Sequence, residues 1–381
     1  MQQPHLHSQN RYLGGALAGT HGVHPDARRG RAAVGNPAGR YERLHREALD
    51  DGWDNLDAPP PPLRTAVLKD SSRTIIARNE SPDIPFDRSI NPYRGCEHGC
   101  IYCFARPTHA WLGLSPGLDF ESKIFAKPDA AALLDKALRA PSYRCKTMAM
   151  GTSTDPYQPV ERNLLITRGV LEVLARFNHP VGIVTKAALI VRDIDILAPM
   201  AAKQQSKAAL SITTLDTRLA RAMEPRASTP ERRLEAIRQL SAAGIPTAVM
   251  IAPVIPGLND HELESILAAA RDAGAREAGY IMLRLPLEVR DMFQEWLAAA
   301  VPDRAKRVMT LVRAMRGGRD YDAEWGARMR GTGPIAEAVQ QRFALACKRL
   351  GLNQRSYELD CSRFAVPAAD TTAKGAQLAL F

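Results

Sequence analysis

The chain has 381 residues, 45% of them hydrophobic and 24% charged, with a formal net charge of +10. That length and composition give a globular protein with a real core, one large α/β domain or two ordinary ones. No apolar run approaches the roughly 18 residues that cross a bilayer, and six cysteines in so long a chain exclude a disulfide scaffold.

Residues 1–62 are rich in Gly, Ala, Arg and His and end in the run Pro59–Pro62. Without a sustained apolar period, this stretch reads as a disordered arm closed by a stiff spacer, with a short helix around Tyr41–Ala48. Its first sixty residues carry seven basic and seven acidic side chains, so it is not a basic nucleic-acid tail. It has no apolar block of signal-peptide type, and a cytoplasmic protein with no membrane partner is expected.

A first strand is expected near Ser89–Tyr93. Short β-branched or apolar runs then recur at Thr147–Met150, Val181–Thr185, Leu210–Thr214, Thr247–Ile251 and Tyr280–Leu283. Between them, apolar residues fall at three- and four-residue spacing, as in Leu234, Ile237 and Leu240, or Leu263, Ile266 and Leu267. Thr229-Pro230-Glu231 and Asn259-Asp260 offer helix starts, and Gly244-Ile245-Pro246 a helix end. The pattern predicts six βα units and an open, partial barrel over residues 63–300. Helices near Arg304–Met315 and Pro334–Leu350 would form a C-terminal cap over 301–366, with a loose tail at 367–381. Residues 301–381 carry fourteen basic against eight acidic side chains, a surface suited to an anionic partner such as nucleic acid or to plain solvation.

The chemistry lies in Asn91-Pro-Tyr-Arg-Gly-Cys96-Glu-His-Gly-Cys100-Ile-Tyr-Cys103. Three thiolates spaced Cys-x3-Cys-x2-Cys suit an iron–sulfur cluster or zinc. On a four-iron four-sulfur cluster they leave one iron free to chelate the amino and carboxylate groups of S-adenosylmethionine (SAM). Gly95 and Gly99 would let the loop curl. The rival reading is zinc on Cys96, His98, Cys100 and Cys103, strained by the one-residue gaps beside His98. The alternative function is a non-catalytic nucleic-acid-binding module stabilised by zinc or by a cluster.

The triplet resembles that of the radical SAM superfamily. The stretch running on through Tyr102-Cys103-Phe104-Ala105-Arg106-Pro107-Thr108 is similar to its spore photoproduct lyase-like branch. Further matching segments are Gly151–Glu161, Ile183–Lys186, Ser211–Asp216, Glu224–Ala227, Ala252–Asp260 and Leu283–Pro286. The resemblance implies a partial (β/α)6 barrel with SAM at the C-terminal ends of the strands. It puts Tyr102 and Ala252 by the adenine, Gly151, Thr152 and Ser153 at the SAM amino group, and Lys186 and Ser211 at the carboxylate. Asp155, Tyr157, Glu161, Arg226 and Arg284 become candidate substrate or catalytic contacts, and an electron donor such as flavodoxin or ferredoxin is implied. Two departures argue against spore photoproduct repair itself. Gly151 stands nearest the position of the lyase's hydrogen-donating cysteine, and Phe104 replaces its tyrosine after the last cluster cysteine. Cys145 should lie at the far end of the barrel, while Cys347 and Cys361 read as buried small hydrophobes before a second cluster.

Overall fold

Six parallel strands form the body of one sheet, flanked by helices. The computed structural model describes residues 23, 26, 28–42 and 62–368. Its strands are β1 (Ala66–Lys69), β2 (Ile76–Arg78), β3 (Arg88–Ile90), β4 (Tyr93–Arg94), β5 (Lys123–Ala126), β6 (Met148–Met150), β7 (Val181–Thr185), β8 (Ser206–Ser211), β9 (Thr247–Val254) and β10 (Glu277–Met282). The large sheet runs β10-β9-β8-β7-β6-β3-β2. Only β2 is antiparallel, so the array is open, with β2 and β10 at its edges. A small sheet, β1-β5-β4, stands beside it; no periodic signal announced its short strands.

The six expected strands are all present, β7 over the same residues. The largest displacement is β8, which begins at Ser206 rather than Leu210. Its polar start hid it: Ser206 is buried against the Leu197 carbonyl (2.7 Å), and Lys207 reaches Glu277 (3.5 Å). Thr229 caps Pro230–Ala242 by accepting from the Arg232 N–H. Asn259 differs from expectation. It caps no helix, because its side chain takes the Ile255 N–H (2.6 Å) and donates to the carbonyls of Thr213 (2.7 Å) and Pro253 (3.0 Å). That ties together the loops at the C-terminal ends of β8 and β9.

Helices Pro302–Ala314 and Gly333–Leu350 follow the barrel. The second is pinned to Leu263–Asp272 by Arg342 across Glu264 (2.8 and 2.6 Å). Part of the arm expected to lack structure is packed: residues 31–35 are buried. Ala32, Ala33 and Val34 join Cys100, Ile101, Tyr102 and Leu118 in one apolar cluster. Alanines at small separations carry no period, so local patterning could not show this. Residues 43–61, which include most of the expected Tyr41–Ala48 helix and the proline run, lie outside the described residues, as does the tail beyond 368. Among the described residues no helix is long and apolar enough to cross a membrane.

Candidate active site

The three clustered cysteines sit on the loop that leaves β4 and passes across the C-terminal end of the sheet. Gly95 and Gly99 have positive φ (76° and 66°), and a Cβ on Gly99 would fall 2.8 Å from the Glu121 carboxylate. The backbone closes on itself through Gly99 N–H to the Cys96 carbonyl (3.2 Å) and Cys103 N–H to that of Cys100 (3.1 Å). Arg106 locks it, donating to the carbonyls of Gly99 (2.8 Å), Cys100 (2.9 Å), Pro116 and Gly117 (both 3.1 Å). Its remaining side-chain hydrogen bond goes to the Glu121 carboxylate. Glu121 in turn accepts the N–H groups of Ala32 (3.1 Å) and Ala33 (3.0 Å), which is why the arm is anchored here.

All three thiols are free; Cys96 and Cys100 are buried and Cys103 half-buried. Burial pushes all three above the usual thiol range, Cys96 further because Asp155 and the other two thiols lie close. Buried thiols become ligands only beside strong positive charge, which a bound metal would supply. Three free thiols on one loop are a donor set that fits an iron–sulfur cluster, with Cys96, Cys100 and Cys103 as the residues that would hold it. Among the described residues no three His, Cys, Asp or Glu side chains converge as a single metal ion requires. His98, the fourth zinc ligand in the rival reading, instead points Nδ1 at Asp155 Oδ2 (3.3 Å).

Beside the thiols the structure brings Lys186, Tyr102 and Ala252 together. Lys186 Nζ donates to the Ala252 carbonyl (3.3 Å) and lies 5.7 Å over the Tyr102 ring and 4.0 Å from Glu224. Burial lowers its pKa, opposed by nearby Cys100. Sequence reasoning missed the centre of this group. Glu224 is buried, bonded by Tyr102 Oη and Arg233 and by Thr213 Oγ1 (2.6 Å). Arg233 Nη1 also holds the Ser211 carbonyl (2.8 Å). Burial raises the Glu224 pKa although Arg233 opposes it. The Glu-Pro-Arg segment flagged the residue, but nothing local tied it to Tyr102. Gly151 follows β6 with φ 86°, Thr152 is half-buried, and Ser153 is exposed with its N–H on Asn91 (3.1 Å).

The residues expected at the substrate divide. Asp155 accepts from Thr185 Oγ1, the Lys186 N–H (both 2.7 Å) and the Tyr157 N–H (2.9 Å). Burial would raise its pKa, but His98 and these bonds outweigh it and hold it at about 2. Tyr157 is buried, its ring 5.9 Å from Arg192 and its hydroxyl beside Asp193. Glu161 is buried too, between Tyr93 and Arg192. Arg226 pairs with Glu97 (3.1 Å). Arg284 alone of this set stands over an exposed ring, its guanidinium 4.9 Å from the centre of Phe104. Away from the site, Cys361 lies beside Cys145, whose thiol burial pushes up to about 12 with Cys361 adding to it. Cys347, buried against Asn353 Nδ2 (3.8 Å), keeps apart from both.

Residues 90–270 match the family model described as the Radical SAM superfamily. An uncharacterized protein of Mycobacterium tuberculosis (strain ATCC 25618 / H37Rv) is 39% identical over 242 residues, 62% of this chain and 71% of the relative. One of Methanocaldococcus jannaschii is 28% identical over 174 residues, 45% of this chain and 62% of the relative. A structure of a spore photoproduct lyase mutant with bound AdoMet and dinucleoside spore photoproduct aligns with TM-score 0.49 at 13% identity, over 75% of this chain and 80% of that one.

Proposed function

The chain belongs to the radical SAM superfamily, enzymes of SAM-dependent radical chemistry, and on that premise we propose that it binds one four-iron four-sulfur cluster and SAM and removes a hydrogen atom from a substrate at the mouth of the barrel. The observation that carries this reading is the set of three free thiols on a loop fixed by Arg106. A cluster held there would supply one electron to a carbon–sulfur bond of bound SAM, which would break to methionine and a 5′-deoxyadenosyl radical.

The chain's own residues orient and shield. Lys186, held now by a carbonyl, pairs with the SAM carboxylate, a stronger partner for an ammonium. Ser211, Thr152, Ser153 and the Gly151 backbone complete the polar contacts, and Tyr102 and Ala252 flank the adenine. Asp155 acts through Lys186 as a positioning residue, since it holds that residue's backbone N–H. Tyr157 serves the same loop, giving its N–H to the Asp155 carboxylate. Arg284 contacts substrate. The net charge of +10 supports nucleic acid as the substrate class. Flavodoxin or ferredoxin supplies the electron, and six free cysteines suit a reducing cytoplasm.

The reaction differs from spore photoproduct repair. A Cβ on Gly151 would meet the Val184 carbonyl at 1.9 Å, so this backbone admits no cysteine there, and Phe104 carries no O–H. Anaerobic reconstitution tests the reading. About four irons per chain, a shoulder near ~400 nm and 5′-deoxyadenosine on reduction are expected. Cys96→Ala, Cys100→Ala and Cys103→Ala should each lose the iron, and Cys347→Ala should keep it. Stoichiometric zinc without iron would mean the binding-module alternative instead.

A further inference from the structure

Two guanidiniums at the barrel mouth make no close ion pair among the described residues; Asp83 acts on Arg284, and Asp322 on Arg316, only through space. Arg284, just past β10, donates Nη1 to Met329 Sδ at 3.5 Å. Its Nε is buried without a partner, and among the described residues no carboxylate pairs with it. That leaves Nη2 as the donor open to a carboxylate or phosphate, with Nε closed off from solvent. Arg316, 1% exposed, spends its terminal nitrogens on backbone, including the carbonyls of Leu283 (2.8 Å) and Arg328 (3.1 Å). Its Nε also has no partner. The carboxylates of this corner are engaged elsewhere, Asp83 by Arg328 and the Gly326 N–H, and Asp322 by Arg319 at 2.9 Å. Arg226, by contrast, already has Glu97 at 3.1 Å.

The two guanidiniums repel one another, and carboxylates that act only through space offset that repulsion in part. Directly beneath Arg284 lies Phe104, 44% exposed and next in sequence to Cys103. We propose that Arg284, backed by the charge of Arg316, is an anion subsite for the substrate. It takes a phosphate or carboxylate group on the guanidinium Nη2, with the attached ring or apolar portion lying along Phe104. Arg316 fixes the Leu283 carbonyl and so positions Arg284 itself. The assignment rests on the proposed reading that substrate enters at this mouth.

Phenyl phosphate and benzoate separate the two anion types on a ring that matches Phe104. Each is titrated by calorimetry into the anaerobic, full-length protein, with SAM titrated separately. Saturable binding of one or both is expected, about tenfold or more weaker in Arg284→Met, as loss of a charge-assisted pair implies. Arg284→Lys, which keeps the charge but not the guanidinium, should fall between. SAM affinity should be unchanged in both variants. Binding by Arg284→Met equal to that of the parent protein, or no saturable binding of either probe by the parent, overturns the subsite. In the second case intact SAM binding shows that the cofactor reading survives.

Discussion

Arg106 Nη2 lies 2.5 Å from Glu121 Oε1, and neither side chain reaches solvent. This one ion pair joins three parts of the chain. Arg106 holds the carbonyls of the cysteine loop, and Glu121 holds the backbone of Ala32 and Ala33. Removing one partner of a buried pair leaves the other charge unpaired and costs about 3–5 kcal/mol. Arg106→Met should therefore lower unfolding stability by that order in urea titration and release the strap at Ala32–Ala33. The double variant Arg106→Met/Glu121→Leu should recover part of the loss, because no buried charge then stands alone. No recovery would show that the carbonyl bonds, not the ion pair, hold the loop.

Lys186→Ala should weaken SAM binding and leave iron content unchanged. The loss of a charge-assisted contact in a half-dry cleft is worth about 1.5–3 kcal/mol, or roughly one to two orders of magnitude in affinity. Glu224 keeps Arg233 as its ion partner, so the fold should tolerate the change. Calorimetry with SAM on parent and variant checks it; equal affinities would falsify the role given to Lys186.

Gly151→Cys should not create a spore photoproduct lyase. Its φ of 86° disfavours any side chain, and the Val184 carbonyl stands 1.9 Å from the new Cβ. Backbone strain alone is of order 1–3 kcal/mol, and the clash adds to it by forcing β6 from β7. Reduced thermal stability and no formation of thymidylyl-thymidine from the dinucleotide photoproduct are expected. A stable variant with clean turnover would show that the loop yields.

Stability should fall on mild acidification. His109 and His179 are fully buried, and burial lowers each to a pKa of about 4 although backbone hydrogen bonds oppose it. An unfolded histidine titrates near 6.5, so below that pH the unfolded chain binds protons that the folded one refuses. Stability is complete above about 6.5 and declines as pH drops toward 4, by roughly 3 kcal/mol for each histidine at most. Asp155, held at about 2, extends the decline below about 3.9, where its unfolded counterpart protonates. Replacing His179 by Gln should flatten the first phase in unfolding curves taken between pH 7 and 4.5.

The cysteine triplet, the six βα units and the glycines on which the loop turns are legible from sequence, because each is a local property. Spacing, period and the need for positive φ at Gly95 and Gly99 are written in neighbouring residues. The sequence also marks Lys186 and Arg284, since charged residues just past apolar strands come to the mouth of a parallel barrel. Which charges already have partners follows from the packing alone. Asp155 and Arg226, candidate substrate contacts by position, lie beside His98 and Glu97. Tyr157, a candidate on the same loop, is buried next to Asp193. Glu224 reaches Tyr102, 122 residues away, and Glu121 reaches Ala32, 89 residues away. Such pairings are fixed by how strands and loops stack, which no window of sequence contains.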